Sequence, residues 1–485
     1  MRLTDPRVLT TLILGMMFTG VFAYAVYTAS LDGSVFQAPT IKADVFYVGA
    51  QTLNNYILSV APGGAGGFYP QPSTYLIYKT GGGTYVSQNQ LTGVNSTNAN
   101  FVTLINTVFS ACSAGDTIHV KAGSYVVGAT ITGQTGVNLS GEGYGTIFGG
   151  STMAASDTMI EYTGVSGAAV NLSANAAILD NHVHVAAGDE AGFAAGDLVF
   201  INSSAVWDGN TLNQKQGEFF HVGSTGVGLV NLVTYESLMG TYATASTAHL
   251  HKVTPVRDFV IENIHLTGDG ATAVDGIYIT NAENVVVRGV SALGVNRRAI
   301  AFTNVLSGKV TGCSLNEINQ AGFGYGVVLE YASQGIVVSD NTFFNCRHAV
   351  AIGGGSLAGI PRGISVNNNY ASSSSADANY DCHDVGESIT FSNNVSLGGS
   401  YGFAIRAHTV VVSGNVVNGA ATVGIQLDSA EFDSCLVSLN SVMNTPTAIR
   451  TMPGSVNIHL IYNDLGNCGT GVNDDAAGTQ IVSLS

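Results

Sequence analysis

Ionisable side chains of complementary chemistry cluster in one short stretch of this 485-residue chain, Tyr380-Asp381-Cys382-His383-Asp384. A histidine flanked by carboxylates can work as a general base or acid, because a nearby negative charge orients the imidazole and raises its pKa. Charged residues make up only 10% of the chain, so such a cluster is unusual for it. The stretch is therefore the first candidate for a site that performs chemistry.

A regular repeat surrounds this stretch and is marked by asparagine. Six short apolar segments each carry Asn at the third position after a residue expected to be buried: Asn341, Asn369, Asn394, Asn415, Asn440 and Asn463. Extending the ladder towards the N-terminus gives anchors from Val260 to Leu460, spaced 21 to 28 residues apart, which is typical of repeat architectures. Asn in such a column can bond its own turn and the neighbouring coils, so we predict a structural role for it.

The repeat predicts an all-β fold, a single-stranded parallel β-helix. In such a solenoid the short turns of each coil connect its parallel strands, and equivalent side chains stack from coil to coil. The composition agrees, because 61 glycines and few charged residues favour turns and strands over helices.

Each repeat carries a second apolar pair, and aligning the coils on it predicts which side chains point outwards. The inward column reads Ile277, Ile300, Val327, Val350, Cys382, Phe403, Ile425, Ile449 and Val472. Side chains alternate along a strand, so His383 then points outwards. Arg406 is expected beside it one coil on, with Glu330 and Asp428 at the edges. Asp384 would point inwards, where an unpaired charge is costly.

A further column just before these strands adds aromatic and basic groups: Arg298, Tyr325, His348, Tyr380 and Tyr401, with Arg347 beside it. Small residues such as Ala351 and Ala404 would leave a shallow groove around these groups, and a polymer chain could lie in it. The residues expected to bind a substrate there are Glu330, Tyr325, Tyr401, Asp384 and Asp428.

The groups of this face suit proton abstraction next to the carboxylate of a uronate sugar. That reaction needs a cation to neutralise the carboxylate, a base and an acid. The candidates for these catalytic roles are His383, Asp381, Tyr380, Arg347, His348 and Arg406. An arginine would supply the cation, the histidines or the tyrosine the base and the acid, and the aspartate would orient the histidine.

Two segments near the start of the repeat region, residues 115–127 and 137–143, carry an alternating strand closed by a glycine turn and a second glycine-rich turn. This onset resembles the pectate-lyase-like right-handed parallel β-helix superfamily, which includes phage tailspikes. The resemblance extends over roughly residues 75–485. It implies the fold and the handedness but not an activity, because one fold carries many functions.

The stretch Asp381-Cys382-His383-Asp384 is similar to the Asp-Pro-His-Asp/Glu motif of mannuronan C5-epimerases, which modify alginate on the same fold. The resemblance implies that Asp381 and His383 lie at an active site together with a tyrosine and a basic residue. Cys382 replaces the proline of the motif. Tyr380 directly precedes the aspartate, whereas the tyrosine of the family stands further upstream.

These patterns favour an extracellular polysaccharide-active protein, a uronan lyase or C5-epimerase that works in a lateral groove. One alternative is a non-catalytic surface fibre or adhesin that binds glycans, in which the odd stretch only fills a turn-like break in a strand. Another is a glycoside hydrolase of the tailspike type, which needs two carboxyl groups about 5 to 9.5 Å apart. The candidates for that pair are Glu330, Asp381, Asp384 and Asp428.

The charge balance narrows the classes of partner. A net charge of −16, with 16 basic against 32 acidic residues, argues against nucleic acid, which needs a clustered positive surface. An anionic polysaccharide is compatible with this charge where a local basic pocket exists. Exposed acids in adjacent coils suit an oxygen-ligated cation, so Ca²⁺ is left open as a cofactor. The six cysteines lack zinc-site spacing and are predicted to be inert core thiols.

Residues 8–29 form an uncharged apolar stretch, and Arg2 and Arg7 precede it. The stretch is long enough to cross a bilayer as a helix, and the charges before it would place the body of the protein outside the cell. We therefore predict an extracellular protein anchored to the membrane by this helix. A cleaved signal peptide and a secreted protein are the alternative.

The chain is predicted to divide into five parts: a transmembrane anchor or uncleaved signal over 1–30, a stalk or collar over 31–97, a capping helix and the first coils over 98–179, an inserted small β subdomain over 180–253, and regular coils over 254–485. Asn98 or Asn100 can cap the amphipathic helix, which would cover the open first coil. By analogy with tailspikes a homotrimer is left open.

Overall fold

The computed structural model describes residues 12–18, 21–27, 47–48, 51–52, 73–207, 214–353, 358–373, 375–383, 385–428, 433–476 and 479–484. The chain forms two compact units, Met1–Gln71 and Pro72–Ser485. The stalk or collar was predicted over residues 31–97. Most of its part before residue 73 lies outside the described residues, whereas residues 75–79 and 85–89 are strands of the second unit, and the first of them pairs with a strand of the β-helix.

The N-terminal unit contains four short strands in the described residues: β1 (Leu12–Phe18), β2 (Val21–Tyr27), β3 (Tyr47–Val48) and β4 (Gln51–Thr52). β1 pairs antiparallel with β2, and β3 with β4. The transmembrane helix predicted over residues 8–29 is therefore wrong where the stretch is described, because aromatic and β-branched residues suit a strand as well as an apolar helix. Within the described ranges no helix combines the length and the apolar character needed to span a bilayer.

The second unit opens with an antiparallel ribbon, one helix and short strands: β5 (Tyr75–Lys79), β6 (Tyr85–Asn89), β7 (Asn95–Asn98), α1 (Phe101–Ala111), β8 (Thr117–Val120), β9 (Gly123–Val126), β10 (Ile131–Thr132), β11 (Asn138–Ser140), a 3₁₀ turn (Gly143–Gly145), β12 (Thr146–Gly149) and β13 (Thr158–Thr163). The side chain of Asn100 caps α1 by accepting a hydrogen bond from the backbone N–H of Thr103 at 2.9 Å. Phe101 packs on Tyr125 with ring centroids 4.6 Å apart, so the apolar face of the helix joins the core of the first coils. Its role as a cap over the open end stays a prediction.

A six-stranded antiparallel sheet with its own core follows, and we call it the inserted sheet. Its elements are β14 (Val165–Asn171), β15 (His182–His184), a 3₁₀ turn (Asp189–Gly192), β16 (Leu198–Val206), β17 (Lys215–Gly226), β18 (Leu229–Leu232), a 3₁₀ turn (Thr244–Ser246) and β19 (His249–Thr254). The strand order is β14-β19-β16-β17-β18-β15. Val199, Phe220, Val230 and Leu250 are among the buried residues of its core.

The rest of the chain is a stack of coils: β20 (Val256–Glu262), β21 (His265–Thr267), β22 (Asp275–Arg288), β23 (Ser291–Leu293), β24 (Arg298–Thr311), β25 (Ser314–Asn316), β26 (Tyr325–Glu330), β27 (Gln334–Ser339), β28 (Thr342–Phe344), β29 (His348–Gly353), β30 (Arg362–Asn367), β31 (Tyr370–Ser373), β32 (Ala378–His383), β33 (Glu387–Ser392), β34 (Val395–Gly398), β35 (Tyr401–Ile405), β36 (His408–Ser413), β37 (Val416–Asn418), β38 (Val423–Leu427), β39 (Asp433–Ser438), β40 (Ser441–Met443), β41 (Thr447–Thr451), β42 (Val456–Gly466), β43 (Thr470–Asp474) and β44 (Gln480–Leu484). Each strand pairs in parallel with its equivalents in the adjacent coils. The predicted all-β solenoid is confirmed as a right-handed parallel β-helix of about 14 turns.

The asparagine ladder has the structural role predicted for it. In each pair of consecutive coils from Asn341 to Asn463, the side-chain oxygen of one Asn accepts hydrogen bonds from the backbone N–H and the side-chain amide of the preceding Asn, at 2.9 to 3.1 Å. All six side chains are buried. The ladder therefore satisfies polar groups at the same corner of every coil.

The cysteines are free thiols, as predicted. Burial raises the pKa of Cys313 and of Cys346 to about 12. A thiol with such a pKa is neutral and unreactive at physiological pH, so these residues only fill the core.

Candidate functional site

The register of β32 differs by two residues from the predicted one. Tyr380, and not Cys382, occupies the inward column, where it pairs with Val350 of the preceding coil and Phe403 of the following coil. Its ring stacks on Phe403 with centroids 4.7 Å apart, and its hydroxyl donates to the backbone carbonyl of Asn369 at 3.2 Å. Tyr380 is fully buried, so the catalytic role expected for it is corrected to a role in the core.

The shift leaves Asp381 and His383 on the outer face. Asp381 lies in its column between Ala351 and Ala404, and His383 pairs with Gly353. Gly353 has a φ of +91°, a conformation that glycine adopts at little cost. Two small neighbours, Ala351 and Ala404, therefore flank Asp381, whereas the sequence alignment placed them beside His383.

Asp381 is the centre of the site, and we call its polar contacts the Asp381 cluster. Its carboxylate is 1% exposed, and Oδ1 accepts a hydrogen bond from Arg406 Nη2 at 2.6 Å. Oδ2 lies 3.0 Å from His383 Nε2 and 3.7 Å from His348 Nδ1. Burial alone would raise the pKa of Asp381, but the charges of His383 and Arg406 outweigh it and hold that pKa well below its usual range. The carboxylate is thus ionised and contacts both His383 and Arg406.

His383 and Arg406 complete the exposed side of this cluster. Each side chain is about a quarter exposed, at 23% and 24%. The short contact from His383 Nε2 to Asp381 lacks the alignment of a linear hydrogen bond, so it is a close contact between the ring and the carboxylate. Arg406 Nε also donates to the backbone carbonyl of Cys382 at 3.1 Å, which fixes the guanidinium across two coils.

His348 lies behind this cluster and is buried. Its Nδ1 donates to the backbone carbonyl of Ala378 at 2.7 Å, which leaves Nε2 as the unprotonated nitrogen. Burial lowers the pKa of His348 to about 4, although the charge of Asp381 opposes the shift. The ring is therefore neutral at physiological pH, and it meets His383 edge to face with centroids 5.0 Å apart.

Tyr325 and Arg347 form the next layer. The Tyr325 ring stacks on His348 with centroids 5.6 Å apart and meets the edge of His383 at 5.9 Å. Arg347 holds Asp377 at 2.8 Å and reaches to 3.5 Å from the Tyr325 hydroxyl. Burial raises the pKa of Tyr325, so the phenol stays protonated and can donate a proton.

Glu330 belongs to a second ionic cluster on the same face, two coils before Asp381. It accepts hydrogen bonds from Thr303 at 3.0 Å and Arg298 at 3.3 Å. Arg298 also forks onto the buried Asp275 through two bonds of 2.8 and 2.6 Å. Burial raises the pKa of Glu330, against the lowering effect of Arg298.

The remaining predicted binding residues occupy other positions. Tyr401 pairs with Ala378 and is half-buried. Asp428 accepts a hydrogen bond from Gln426 at 2.8 Å, so its contact is within its own coil. Asp384 lies outside the described residues, so its inward orientation stays a prediction.

The inserted sheet borders the site. Trp207 at the end of β16 is buried against Ile360 and Val385, and its ring meets His408 edge to face with centroids 4.5 Å apart. The backbone N–H of Phe219 donates to Gln334 of the β-helix at 2.6 Å. Because Val385 is two residues from His383, this docking supports the backbone that carries the site.

His348, Asp381 and His383 could offer ligands to a metal ion, because one nitrogen or oxygen of each lies within 4.8 Å of the others. Two imidazoles and one carboxylate suit a transition metal better than Ca²⁺, which takes six to eight oxygens. Here the Arg406 guanidinium already contacts the carboxylate, and a divalent cation would have to sit beside that positive charge. The cluster is balanced by its own side chains, so we derive no step through a metal.

Sequence reasoning did not single out Asp377, Gln426 and Arg450. Asp377 accepts a hydrogen bond from Arg347. Its sequence gives little indication of this contact, because it follows a serine-rich loop. Gln426 and Arg450 lie in the outward column that contains Asp381. The alignment of the coils places both of them in the outward column, but it assigns them no role.

Comparisons with known proteins agree with the fold. No protein-family model matches the chain. The K1-specific capsule depolymerase of Klebsiella phage K64-1 is 27% identical over 238 residues, which cover 46% of this chain and 26% of that protein. The match thus spans about a quarter of the length of this relative.

Two solved phage tailspikes have similar structures. The tailspike gp61 of Pseudomonas phage phi297 superposes with a TM-score of 0.61 at 15% identity, over 78% of this chain and 68% of that chain. The tailspike gp49 of Pseudomonas phage LKA1 gives a TM-score of 0.58 at 17% identity, over 78% and 72%. At these identities the likeness concerns the fold alone, and it confirms the tailspike-like β-helix that the N-terminal coils of the sequence indicated.

Proposed function

We propose that this protein is an extracellular or virion-borne polysaccharide depolymerase that binds an anionic glycan over the Asp381 cluster and cleaves it by β-elimination. The observation that carries the proposal is the buried, ionised Asp381 carboxylate, shared by His383 and Arg406 on an outer face with small neighbours. The likeness to a phage depolymerase specific for the K1 capsule supports a capsular polysaccharide as the substrate class. A homotrimer is part of this proposal by analogy with tailspikes.

In the proposed reaction His383 is the base. We assign the proton of the neutral ring to Nε2, the nitrogen that faces the Asp381 carboxylate at 3.0 Å, so that Nδ1 takes the proton from C5 of a uronate. The C4–O bond breaks with its electron pair on the departing oxygen, and a double bond forms between C4 and C5. Tyr325 gives its phenolic proton to that oxygen, so the step consumes no water.

The arginines of the face supply the positive charge for this step. Removing a proton next to a carboxylate places a second negative charge there, and a guanidinium stabilises it. Arg406 donates a hydrogen bond to Asp381, which lies beside His383, and Arg347 reaches the hydroxyl of Tyr325. Asp381 is a positioning residue, because it orients His383 and Arg406 without touching the sugar.

Hydrolysis is the second candidate, and one observation favours it. The pKa of Glu330 is raised and that of Asp381 is lowered, so the face holds one carboxyl that retains its proton more readily and one ionised carboxylate. Such a difference in pKa is one requirement for acid–base cleavage of a glycosidic bond, and a separation of about 5 to 9.5 Å between the carboxyl groups is the other. Epimerisation would use the same base without chain cleavage.

The proposal is tested on a panel of polymers: purified Klebsiella K1 capsular polysaccharide, other Klebsiella capsules, alginate and pectate. Loss of viscosity together with absorbance from unsaturated uronate supports β-elimination. New reducing ends without that absorbance favour hydrolysis, and C5 inversion seen by NMR without cleavage favours epimerisation. Binding without any product would leave only a glycan-binding fibre.

His383→Ala is the decisive variant. We expect the folded variant, assayed below its thermal midpoint, to lose activity by a factor of about 100 or more, the usual scale of a general base. His459→Ala is the matched control, because His459 lies on β42 and pairs with Leu436 and Gln480. Full activity of His383→Ala would contradict the proposed site.

A further inference from the structure

The outer column that contains Asp381 continues towards the C-terminus with two polar side chains that the proposed reaction does not use. Ala404, Gln426 and Arg450 follow Asp381 in consecutive coils. Neighbouring strands lie about 4.8 Å apart, so Arg450 is about 14 Å from Asp381 along the axis of the β-helix. One sugar unit of an extended glycan is about as long as one coil spacing.

Both side chains have a buried hydrogen-bonding atom for which the described residues supply no partner, Gln426 Oε1 and Arg450 Nε. Gln426 is only 8% exposed, and its amide nitrogen is already used by Asp428 at 2.8 Å. Buried polar atoms in native proteins almost always have partners. Two unpaired atoms on adjacent coils of one column therefore indicate a ligand.

The chemistry of the two atoms indicates what that ligand offers. Gln426 Oε1 only accepts hydrogen bonds, so it needs a donor such as a sugar hydroxyl. Arg450 Nε only donates and belongs to a permanent cation, so it needs an oxygen, and an anionic one binds best. Ala404 precedes them with a short side chain, which leaves space between this pair and the Asp381 cluster.

We propose that Gln426 and Arg450 form a glycan subsite that binds the carboxylate and a hydroxyl of an acidic sugar, two to three units from the bond that is cleaved. The subsite rests on the proposed function, because it requires a glycan that lies along the axis of the β-helix. It adds a requirement that the reaction alone does not make. The substrate must be acidic at a unit that is not cleaved.

Arg450→Met tests the subsite with native and carboxyl-reduced forms of the K1 capsular polysaccharide, alginate and pectate. Reduction turns the carboxylates into neutral hydroxymethyl groups. We expect the variant to bind the native polymer at least about tenfold more weakly and to show a raised KM with an unchanged kcat, as for loss of a charged hydrogen bond. On the reduced polymer the variant and the wild-type protein should bind within about twofold of each other.

Lys309→Met is the matched control, because Lys309 is exposed on another strand column and pairs with Val286 and Val337. Arg450→Lys keeps the charge but lacks Nε, so it should lose part of the affinity. If the Arg450→Met protein does not fold, Arg450→Lys and Gln426→Leu are used in its place. Unchanged binding by the folded variants overturns the subsite. If the wild-type protein still cleaves the polymer in that case, the proposed function stands without the subsite. Equal losses on native and reduced polymers overturn the carboxylate as its ligand. A wild-type protein that binds none of the polymers overturns the proposed function and this subsite with it.

Discussion

Arg406 Nη2 lies 2.6 Å from Asp381 Oδ1, although 25 positions separate the two residues in the chain. The pair joins adjacent coils, and its carboxylate is almost completely removed from water. A buried carboxylate stays ionised only where cations and hydrogen bonds replace its hydration. The site is therefore a product of coil stacking, because neither residue is near the other in sequence.

Arg406→Met should destabilise the fold by about 3 kcal/mol, because it removes the guanidinium that compensates the buried Asp381 charge and leaves His383 as its remaining close partner. Chemical denaturation measures the loss. Arg288→Met is the control: Arg288 contacts Glu262 at an equal 2.6 Å but is 45% exposed, so its loss should be below about 1 kcal/mol. Adding Asp381→Asn to Arg406→Met should recover part of the stability. Equal small losses in both single variants would contradict the buried character of the pair.

Tyr380→Phe and Tyr325→Phe should have opposite consequences. The first removes a hydroxyl bonded to the backbone carbonyls of Asn369 and Val395 at 3.2 Å, which should cost about 1 to 2 kcal/mol of stability and leave kcat unchanged. The second removes the proposed acid, which should lower kcat by a factor of about 100 or more at nearly unchanged stability. Steady-state kinetics with thermal unfolding separates the two. An inactive Tyr380→Phe protein with a native fold would show that the observed register is not the functional one.

Asn394→Ala should destabilise the β-helix by about 3 kcal/mol, because it leaves several buried polar groups unpaired. The Asn394 side chain accepts from Asn369 and donates to Asn415 and to the carbonyl of Val366, at 2.9 to 3.0 Å. The midpoint of denaturant unfolding gives the effect. Asn316→Ala, outside the ladder, should change it by less than about 1 kcal/mol. Similar losses for both would mean that the ladder adds nothing beyond an ordinary polar contact.

The docking of the inserted sheet should depend on pH through His221. Its two ring nitrogens contact Glu236 at 2.9 Å and Glu283 at 2.7 Å, and Arg257 lies 3.5 Å from Glu283. Hydrogen bonds to Glu236 and Glu283 raise the pKa of His221 to about 9, from about 6.5 in an unfolded chain. The stabilisation is thus fully present below about pH 6.5 and is lost as the pH rises through about 9.

Thermal unfolding across that interval measures this dependence. The wild-type protein should lose stability relative to His221→Gln as the pH rises, because only the wild-type folded state binds the additional proton. His251→Gln, on β19, which β16 separates from the strand of His221, serves as the control and should follow the wild-type curve. Parallel curves for the wild-type protein and His221→Gln would contradict a charged His221.

The solenoid and its ladder were predictable because they depend on spacing, and the spacing of Asn341 to Asn463 is visible in the chain. The outward position of Asp381 and His383 was predictable for the same reason. The register of β32 was not, because a shift of two residues keeps every side chain on the same face. Either Tyr380 or Cys382 could fill the inward column, and the bonds of the Tyr380 hydroxyl to the backbone decide between them.

Local pattern was a weaker guide elsewhere. Residues 8–29 carry enough apolar character for a membrane helix, yet β1 and β2 lie within them, because the pairing of aromatic and β-branched residues can favour a strand. The burial of His348 depends on Tyr325 in the preceding coil and on the carbonyl of Ala378 in the following one. No sequence window contains these contacts.

The central claim, elimination by a base at His383, is tested most directly by the masses of the oligosaccharides released from an acidic capsular polysaccharide in heavy-oxygen water. β-Elimination predicts products whose new non-reducing end is an unsaturated uronate, with no water gained on cleavage and with heavy oxygen only at the anomeric position of the reducing end, which exchanges with water. The His383→Ala protein should release none of them. Saturated products that gain one water for each bond cleaved, or the same unsaturated products from His383→Ala, would contradict the account.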